Sequence, residues 1–205
     1  MGRYYHTLLL IALAAVHAAS AQGLKFNSAE LPIDKRTSYN VFDERVPSFA
    51  DRFDIEFDIR LYPVTEIGYI LRIKNQTSDK IYNLFYDGQG DDFFKLNEEG
   101  KCNLITAKID REELLDAHWF RMKLAFDLKG DSITLTIHNR TFTATQANLP
   151  DTYSPIIIFG KSDHIIDVPS FAIQNLTVGN SKNYTFELSQ NEGNTVYDTK
   201  GRPQG

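Results

Sequence analysis

The segment Asp54-Ile55-Glu56-Phe57-Asp58-Ile59-Arg60-Leu61-Tyr62 alternates between polar and apolar side chains. Successive side chains of a β-strand point to opposite faces, so a period of two predicts an antiparallel strand with one face in the core and one in water. Helical periodicity is nearly absent from the chain downstream of residue 21. The segment therefore decides the fold class in favour of an all-β protein.

The same alternation recurs along the chain at intervals of about eight to twelve residues. Further strands are predicted over residues 67–73, 80–86, 91–96, 103–109, 119–128, 132–143, 156–160, 171–178 and 184–188. One short helix is predicted over residues 110–116, with Asp110 as its N-cap and Glu113 at the capping-box position. Strands of this number and spacing favour a two-sheet antiparallel β-sandwich with one short helix over a closed barrel.

Composition limits the class of protein. The chain has 205 residues, 42% hydrophobic and 24% charged, which suits one domain or two small ones. The 22 basic and 27 acidic side chains give a net charge of −5. This excludes a dedicated nucleic-acid binder, because such proteins need clustered cations to replace phosphate counterions.

The first 21 residues have the pattern of a signal peptide. Arg3 precedes the apolar run Thr7–Val16, and Ala19-Ser20-Ala21 supplies a small-x-small cleavage site before Gln22. The run is shorter than the roughly 20 residues that span a bilayer, and no later segment is apolar enough to be a membrane span. We therefore predict an exported protein, periplasmic, cell-surface or secreted.

Cysteine usage and glycosylation triplets point to different kinds of export. The single cysteine, Cys102, cannot form a disulfide within the chain, which favours a bacterial exported protein over a eukaryotic secreted β-domain. N-x-S/T triplets at Asn75, Asn139, Asn175 and Asn183 favour the eukaryotic alternative. We give the cysteine argument more weight.

Three sequence phrases, taken in order, resemble one family. They are Phe53–Arg60 with Ile67–Ile73, then His118–Asp127 with Ile133–Ile137, and finally Phe171–Gly179. Together they resemble the laminin-G-like branch of the concanavalin A-like lectin and glucanase jelly rolls. The resemblance implies a sandwich over residues 24–182.

The C-terminal residues 183–205 form a polar tail whose pattern resembles the opening of another such module. We therefore expect either a frayed terminus or the start of a further domain of a larger protein, whose downstream domains are missing from this chain.

The turn after residue 86 is the candidate binding site. Tyr86, Asp87, Gln89 and Asp91 are predicted to contact a ligand. Asp87, Asp91 and Asp92 are a candidate calcium site, because calcium favours several carboxylate oxygens from a flexible loop. The family resemblance also implies calcium at a rim of the sandwich. A plain hairpin turn that needs no metal is the alternative.

Aromatic residues offer a second kind of site. The only tryptophan, Trp119, opens a predicted strand and is interpreted as a core or sheet-rim anchor, with a sugar-stacking platform as the alternative. The tyrosines at 62, 69, 82 and 86 are the other candidate stacking rings.

Catalytic and metal motifs are weak. Asp54, Glu56 and Asp58 form a D-x-E-x-D pattern that invites comparison with the paired carboxylates of jelly-roll glycoside hydrolases. An acidic outer face on an edge strand is the alternative that we favour.

The last candidate functional residues are those of a polar loop and the single cysteine. Asp163, His164 and Asp167 form a second candidate metal loop, with solvated loop polarity as the interpretation that we favour. Cys102 is interpreted as an ordinary half-buried thiol.

The sequence thus predicts a non-catalytic recognition module for glycan or protein ligands, part of a larger surface or periplasmic protein. Two alternatives stay open: a jelly-roll glycoside hydrolase or polysaccharide lyase, and a structural accessory domain without a ligand of its own.

Overall fold

Two antiparallel β-sheets packed face to face form the protein, which confirms the predicted sandwich. The structure is a computed structural model and describes residues 23–26, 31–42, 45–62, 66–90, 93–110, 112, 114, 119–180 and 184–188, and the strands at 196–197 and 203–204. The predicted signal peptide lies outside these residues. Within them, no helix is long and apolar enough to cross a membrane.

The strands are mostly short and follow one another closely along the chain. In chain order they are β1 (Leu24–Phe26), β2 (Ser38–Asn40), β3 (Arg52–Leu61), β4 (Ile67–Asn75), β5 (Ile81–Asp87), β6 (Phe94–Glu98), β7 (Asn103–Ala107), β8 (Phe120–Asp127), β9 (Ser132–Ile137), β10 (Arg140–Thr145), β11 (Pro155–Gly160), β12 (Phe171–Gly179), β13 (Tyr184–Phe186), β14 (Val196–Tyr197) and β15 (Pro203–Gln204). A 3-10 helix covers Ile33–Lys35.

The chain crosses repeatedly between the two sheets, as in a jelly roll. Sheet 1 has the order β1-β12-β3-β8-β9-β10, and β13 also pairs with β12. Sheet 2 has the order β2-β11-β4-β5-β6-β7. Strand β5, predicted to be central because it is apolar on both faces, lies inside sheet 2 between β4 and β6.

Aromatic side chains fill the space between the sheets. Phe53 and Phe126 of sheet 1 stack in parallel with ring centroids 4.6 Å apart. Tyr82 of sheet 2 reaches across to Phe126, with 5.6 Å between the centroids. The edge of the Phe57 ring meets Phe159 of the other sheet at 5.0 Å. The inward half of each alternating strand therefore forms one continuous core.

One predicted strand is wrong. Residues 132–143 were expected to form a single strand, but they form the hairpin of β9 and β10, which turns at His138 and Asn139. The apolar-polar alternation is interrupted by the polar residues His138–Thr141, but no glycine or proline marks the turn. His138 adopts a φ of 53°, a left-handed conformation that only the backbone geometry reveals.

Of the predicted short helix over residues 110–116, the structure describes only residues 110, 112 and 114. The backbone N–H of Glu112 donates to Asp110 Oδ1 at 3.0 Å, and the N–H of Leu114 donates to the Asp110 carbonyl oxygen at 3.3 Å. Glu113, the predicted capping-box residue, lies outside the described residues.

The sandwich extends past the predicted boundary at residue 182. Strand β13 pairs with β12, and both Phe186 and Leu188 are buried. Strands β14 and β15 pair with each other as a separate two-stranded unit. Residues 184–188 therefore belong to the sandwich. A further module stays a prediction only for the residues beyond 188.

Replacing Phe126 with alanine should destabilise the protein by about 3–5 kcal/mol, because its ring touches Phe53, Tyr82 and Tyr153 and little can collapse into the space left behind. Urea unfolding at pH 7 measures the loss. Phe142→Ala is the matched control, since Phe142 is half-buried on the end strand β10 and should cost less. An equal loss from both variants would contradict this account of the core.

Candidate functional site

A polar row crosses the outer face of sheet 2. Arg72 of β4 lies opposite Asn83 of β5, and Asn83 lies opposite Asn97 of β6. Their sequence neighbours point into the core, so these three side chains point outward. The row is unusual because Arg72 and Asn83 are buried although they lie on an outer face.

A hydrogen-bond network orders this row. Arg72 donates to Asn83 Oδ1 at 3.4 Å and forms an ion pair with Glu99 Oε2 at 2.5 Å. Asn83 Nδ2 donates to Asn97 Oδ1 at 3.2 Å and to Glu99 Oε2 at 3.4 Å. The hydrogen bond from Arg72 holds the pKa of Glu99 below its usual value. Glu99 is therefore ionised at neutral pH, and hydrogen bonds join the side chains of the row.

One wall of the site is built by Tyr69 and the loop over residues 161–170. The edge of the Tyr69 ring meets Phe85, with centroids 5.1 Å apart. The Tyr69 N–H donates to the Asp167 carbonyl oxygen at 2.8 Å, which ties the loop to β4. Gly68 permits this approach, because a Cβ at that position would lie only 2.6 Å from the same oxygen.

The row and the loop enclose a cleft of about 320 Å³. We call it the sheet-2 cleft, and it is lined by Tyr69, Arg72, Asn83, Asn97, Glu98, Glu99, Gly100, Lys101, His164 and Ile165. Lys80 and Lys101 both donate to Glu98 Oε1 at 2.9 Å. Within the lining itself, the cations Arg72 and Lys101 balance the carboxylates Glu98 and Glu99 in formal charge. The cleft is thus polar but close to electrically neutral.

The predicted ligand-binding turn after residue 86 does not expose its aromatic residue. Tyr86 is only 2% exposed and packs against Phe93 and Phe94, so its ring cannot stack on a ligand from solvent. This corrects its prediction as a contact residue, and the reason is that the alternation of β5 points Tyr86 inward. Gln89 is exposed.

Asp87 is already bound within its own turn. Its Oδ1 accepts the N–H groups of Gln89 and Gly90 at 3.3 and 2.9 Å, and its Oδ2 accepts Lys95 Nζ at 2.9 Å. The hydrogen bond from Lys95 is the main reason that the pKa of Asp87 is lowered. The other two predicted calcium ligands, Asp91 and Asp92, lie outside the described residues. Among the described residues, no group of three or more metal-ligating side chains is assembled.

The D-x-E-x-D strand carries ion pairs. Arg121 binds Glu56 at 2.8 Å and Asp58 at 3.0 Å, and Lys123 binds Asp54 at 2.8 Å. The prediction that this is an edge strand is wrong, because β3 lies between β12 and β8 inside sheet 1. The acidic residues face cations of the neighbouring strand, which accounts for their alternation without a catalytic role.

The candidate stacking rings differ in how far they are exposed. Tyr82 is buried in the core, whereas Tyr69 lines the sheet-2 cleft. Trp119 and Tyr62 are half-buried, and both lie at the ends of sheet-1 strands. Trp119 therefore fits the predicted sheet-rim anchor and still leaves part of its ring accessible.

The remaining candidates are Cys102 and three residues of the loop over residues 161–170. Cys102 is exposed, which corrects its prediction as a half-buried thiol; it lies in the loop just before β7. Asp163 is exposed in its loop, while His164 of the same loop borders the sheet-2 cleft. The side chain of Asp167 lies 3.9 Å from Arg36.

Sequence reasoning missed Arg72, Asn83, Asn97 and Glu99 as a group. A signal was present, since Arg72 and Asn83 interrupt strands that are otherwise apolar. The strand register that brings them side by side was not available from the sequence.

The sequence matches no protein-family model and no curated protein, but solved structures share its fold. A Bacteroides ovatus protein assigned as carbohydrate-binding has a TM-score of 0.55 at 12% identity, over 89% of this chain and 57% of that one. Domains LG4-5 of the mouse laminin α1 chain have a TM-score of 0.54 at 17% identity, over 90% and 46%. A heptameric pentraxin from Limulus polyphemus has a TM-score of 0.51 at 11% identity, over 78% and 76%.

The TM-scores show a shared fold, and the chain spans about half the length of the first two structures. The chain therefore has the laminin-G-like, concanavalin A-like jelly-roll fold that the three sequence phrases resemble.

Asp87→Asn should lower the free energy of unfolding at pH 7 by about 1–3 kcal/mol, because it removes the charged partner of Lys95. The folded-state pKa of Asp87 lies below 3.8, so its contribution is present above that pH and is lost as the pH falls through the folded value. Urea unfolding between pH 7 and pH 2 should show the difference from wild type shrinking below pH 3.8. The exposed Asp163→Asn is the control, and a pH-independent difference would contradict the role of the Asp87 charge.

Proposed function

We propose that this chain is an exported, non-catalytic glycan-recognition module and that the sheet-2 cleft binds the saccharide. The observation that carries the proposal is the hydrogen-bonded row of Arg72, Asn83, Asn97 and Glu99 on the outer face of sheet 2, in which Arg72 and Asn83 are buried. Burying a charged guanidinium costs free energy, which the ion pair with Glu99 and the hydrogen bond to Asn83 offset, and the same network presents fixed donors and acceptors beside the cleft.

The chemistry of the cleft suits a neutral sugar. Amide, carboxylate and guanidinium groups supply both donors and acceptors for hydroxyls, and the network holds them in place before a ligand arrives. Tyr69 adds an aromatic ring beside them. Because the lining charges cancel, a neutral saccharide is favoured over an anionic one. The volume of about 320 Å³ is at the lower end of ligand pockets, which suits a short oligosaccharide or a chain end.

The shared fold supports the same class of ligand. One of the solved structures with this fold is assigned as a carbohydrate-binding protein. The ion-paired state of Asp54, Glu56 and Asp58 supports a binding role over hydrolysis, because a general acid or nucleophile must be free to reach the substrate. A protein ligand, or an accessory role without a ligand, would be the outcome if no glycan binds.

Calcium at the Asp87 turn remains a separate proposal. Direct coordination by Asp87 would require Lys95 to leave the carboxylate, since they are 2.9 Å apart. The glycan experiments should therefore be run with calcium and with a chelator. Equal affinity in both would assign the turn a purely structural role.

Asn97→Ala and His164→Ala should each weaken saccharide binding by about 5- to 30-fold, the loss of one or two kcal/mol in hydrogen bonding. A glycan array of the purified chain identifies neutral oligosaccharides, and isothermal titration calorimetry then measures the affinity of each variant. Asn139→Ala is the matched control, because Asn139 is exposed on the β9–β10 hairpin of the other sheet.

A blank array would overturn the proposed function. Undiminished binding by both cleft variants would retain glycan recognition and reject the sheet-2 cleft as its site. Thermal unfolding of each variant checks that the fold is intact.

The export part of the proposal rests on residues 1–21. Protein recovered from the periplasm or medium of a secreting bacterial host should begin at Gln22, as read by N-terminal sequencing or intact mass. Ala19→Arg together with Ala21→Arg should block processing, because the peptidase site needs small residues. Exported protein that retains Met1 would contradict the predicted cleavage.

A further inference from the structure

The opposite face of the sandwich carries a second group of residues that the sheet-2 cleft does not involve. On sheet 1, Lys25 of β1 lies opposite Ala172 of β12, and Ala172 lies opposite Arg60 of β3. Phe171 and Ile173 belong to the core, so the residue between them points outward together with Lys25 and Arg60. The two cations are thus placed in one row across three adjacent strands.

Both cations are held over one aromatic ring. Lys25 Nζ lies 4.9 Å from the centroid of the Tyr62 ring, and Arg60 Cζ lies 5.8 Å from it. Tyr62 is itself fixed at the end of β3, since its N–H donates to the Ser170 carbonyl oxygen at 3.2 Å. Cation–π contact of this kind orients a positive charge without neutralising it.

The ion pairing of these two cations differs from that of their neighbours. On the same outer face, Arg52, Arg121 and Lys123 each bind a carboxylate at 3.0 Å or less. Within the described part of the chain, neither Lys25 nor Arg60 has a carboxylate within ion-pair distance. Among the residues that the structure describes, the positive charge at this end of sheet 1 is therefore not paired with a carboxylate.

Trp119 lies at the same end. It immediately precedes Phe120, which is opposite Ile59, the neighbour of Arg60. Its ring also reaches the start of β1, because a Cβ at Gly23 would be 2.9 Å from Trp119 Cη2. Trp119 is half-buried, so part of the indole is open to solvent. Two aromatic rings and two cations thus lie close together on this surface.

We propose that Lys25, Arg60, Tyr62 and Trp119, here called the sheet-1 patch, bind an anionic saccharide through its carboxylate or sulfate group. The cations supply charge-assisted hydrogen bonds to the acidic group. Tyr62 orients the two cations, and the Trp119 ring supplies a flat apolar surface for the C–H face of the sugar ring. This site is independent of the sheet-2 cleft, whose lining charges cancel, and it gives the module a second specificity on the other face.

The single tryptophan makes the test direct. Titrating the full chain with trigalacturonate at low salt should change the emission of Trp119, whereas a neutral trisaccharide should not. A sulfated trisaccharide distinguishes a preference for sulfate from one for carboxylate. Added salt should weaken the binding, because the patch is exposed and its charges are screened.

Lys25→Gln and Arg60→Gln should each lower the affinity for trigalacturonate by about tenfold, the usual effect of losing one charged hydrogen bond. Lys129→Gln is the matched control, since it removes the same charge from an exposed residue at the opposite end of sheet 1, where Lys129 is paired with Asp51. Asn97→Ala should leave trigalacturonate binding unchanged, which separates failure of this site from failure of the sheet-2 cleft.

The proposal is overturned if neither trigalacturonate nor the sulfated trisaccharide binds, or if Lys129→Gln weakens binding as much as the two patch variants. Equal affinity for hexaglutamate would also overturn it, in favour of a surface for acidic peptides. Unchanged circular dichroism and melting temperature exclude unfolding as the cause of any loss.

Discussion

Contact between aromatic rings of the two sheets is the interaction on which the rest of the structure depends. Tyr82 meets Phe126 and Phe57 meets Phe159 across the interior, each pair joining one sheet to the other. Burial of these large apolar rings drives the sheets together. Once the inner faces are committed to this core, every alternate residue must face outward, and the two outer faces become the surfaces available for function.

Charged side chains are paired in different ways on the two outer faces. On sheet 1, acidic side chains of β3 pair with cations of β8, whereas Lys25 and Arg60 have no carboxylate within ion-pair distance among the described residues. On sheet 2, Arg72 is buried within a network of amides and one carboxylate. A neutral polar cleft and a cationic aromatic patch therefore occupy opposite sides of one sandwich.

Much of the fold was predictable, because strand alternation is a local property. The pattern of β3 and the buried character of β5 both follow from the identity of neighbouring residues. The hairpin at His138 was not predictable in this way, since its turn lacks a glycine and depends on a left-handed backbone conformation. The same limit applied to Tyr86, whose position beside a glycine turn suggested exposure although its strand points it inward.

By itself the sequence determined the fold class, the position of most strands and the resemblance to laminin-G-like jelly rolls, because these depend on periodicity and on order along the chain. Only the tertiary structure decided which polar residues meet. Arg72, Asn83 and Asn97 are separated by 11 and 14 positions in sequence and become neighbours through strand register. Lys25 and Arg60 meet over Tyr62 because β12 lies between β1 and β3. Such sites arise from pairing between distant strands, and no local pattern encodes them.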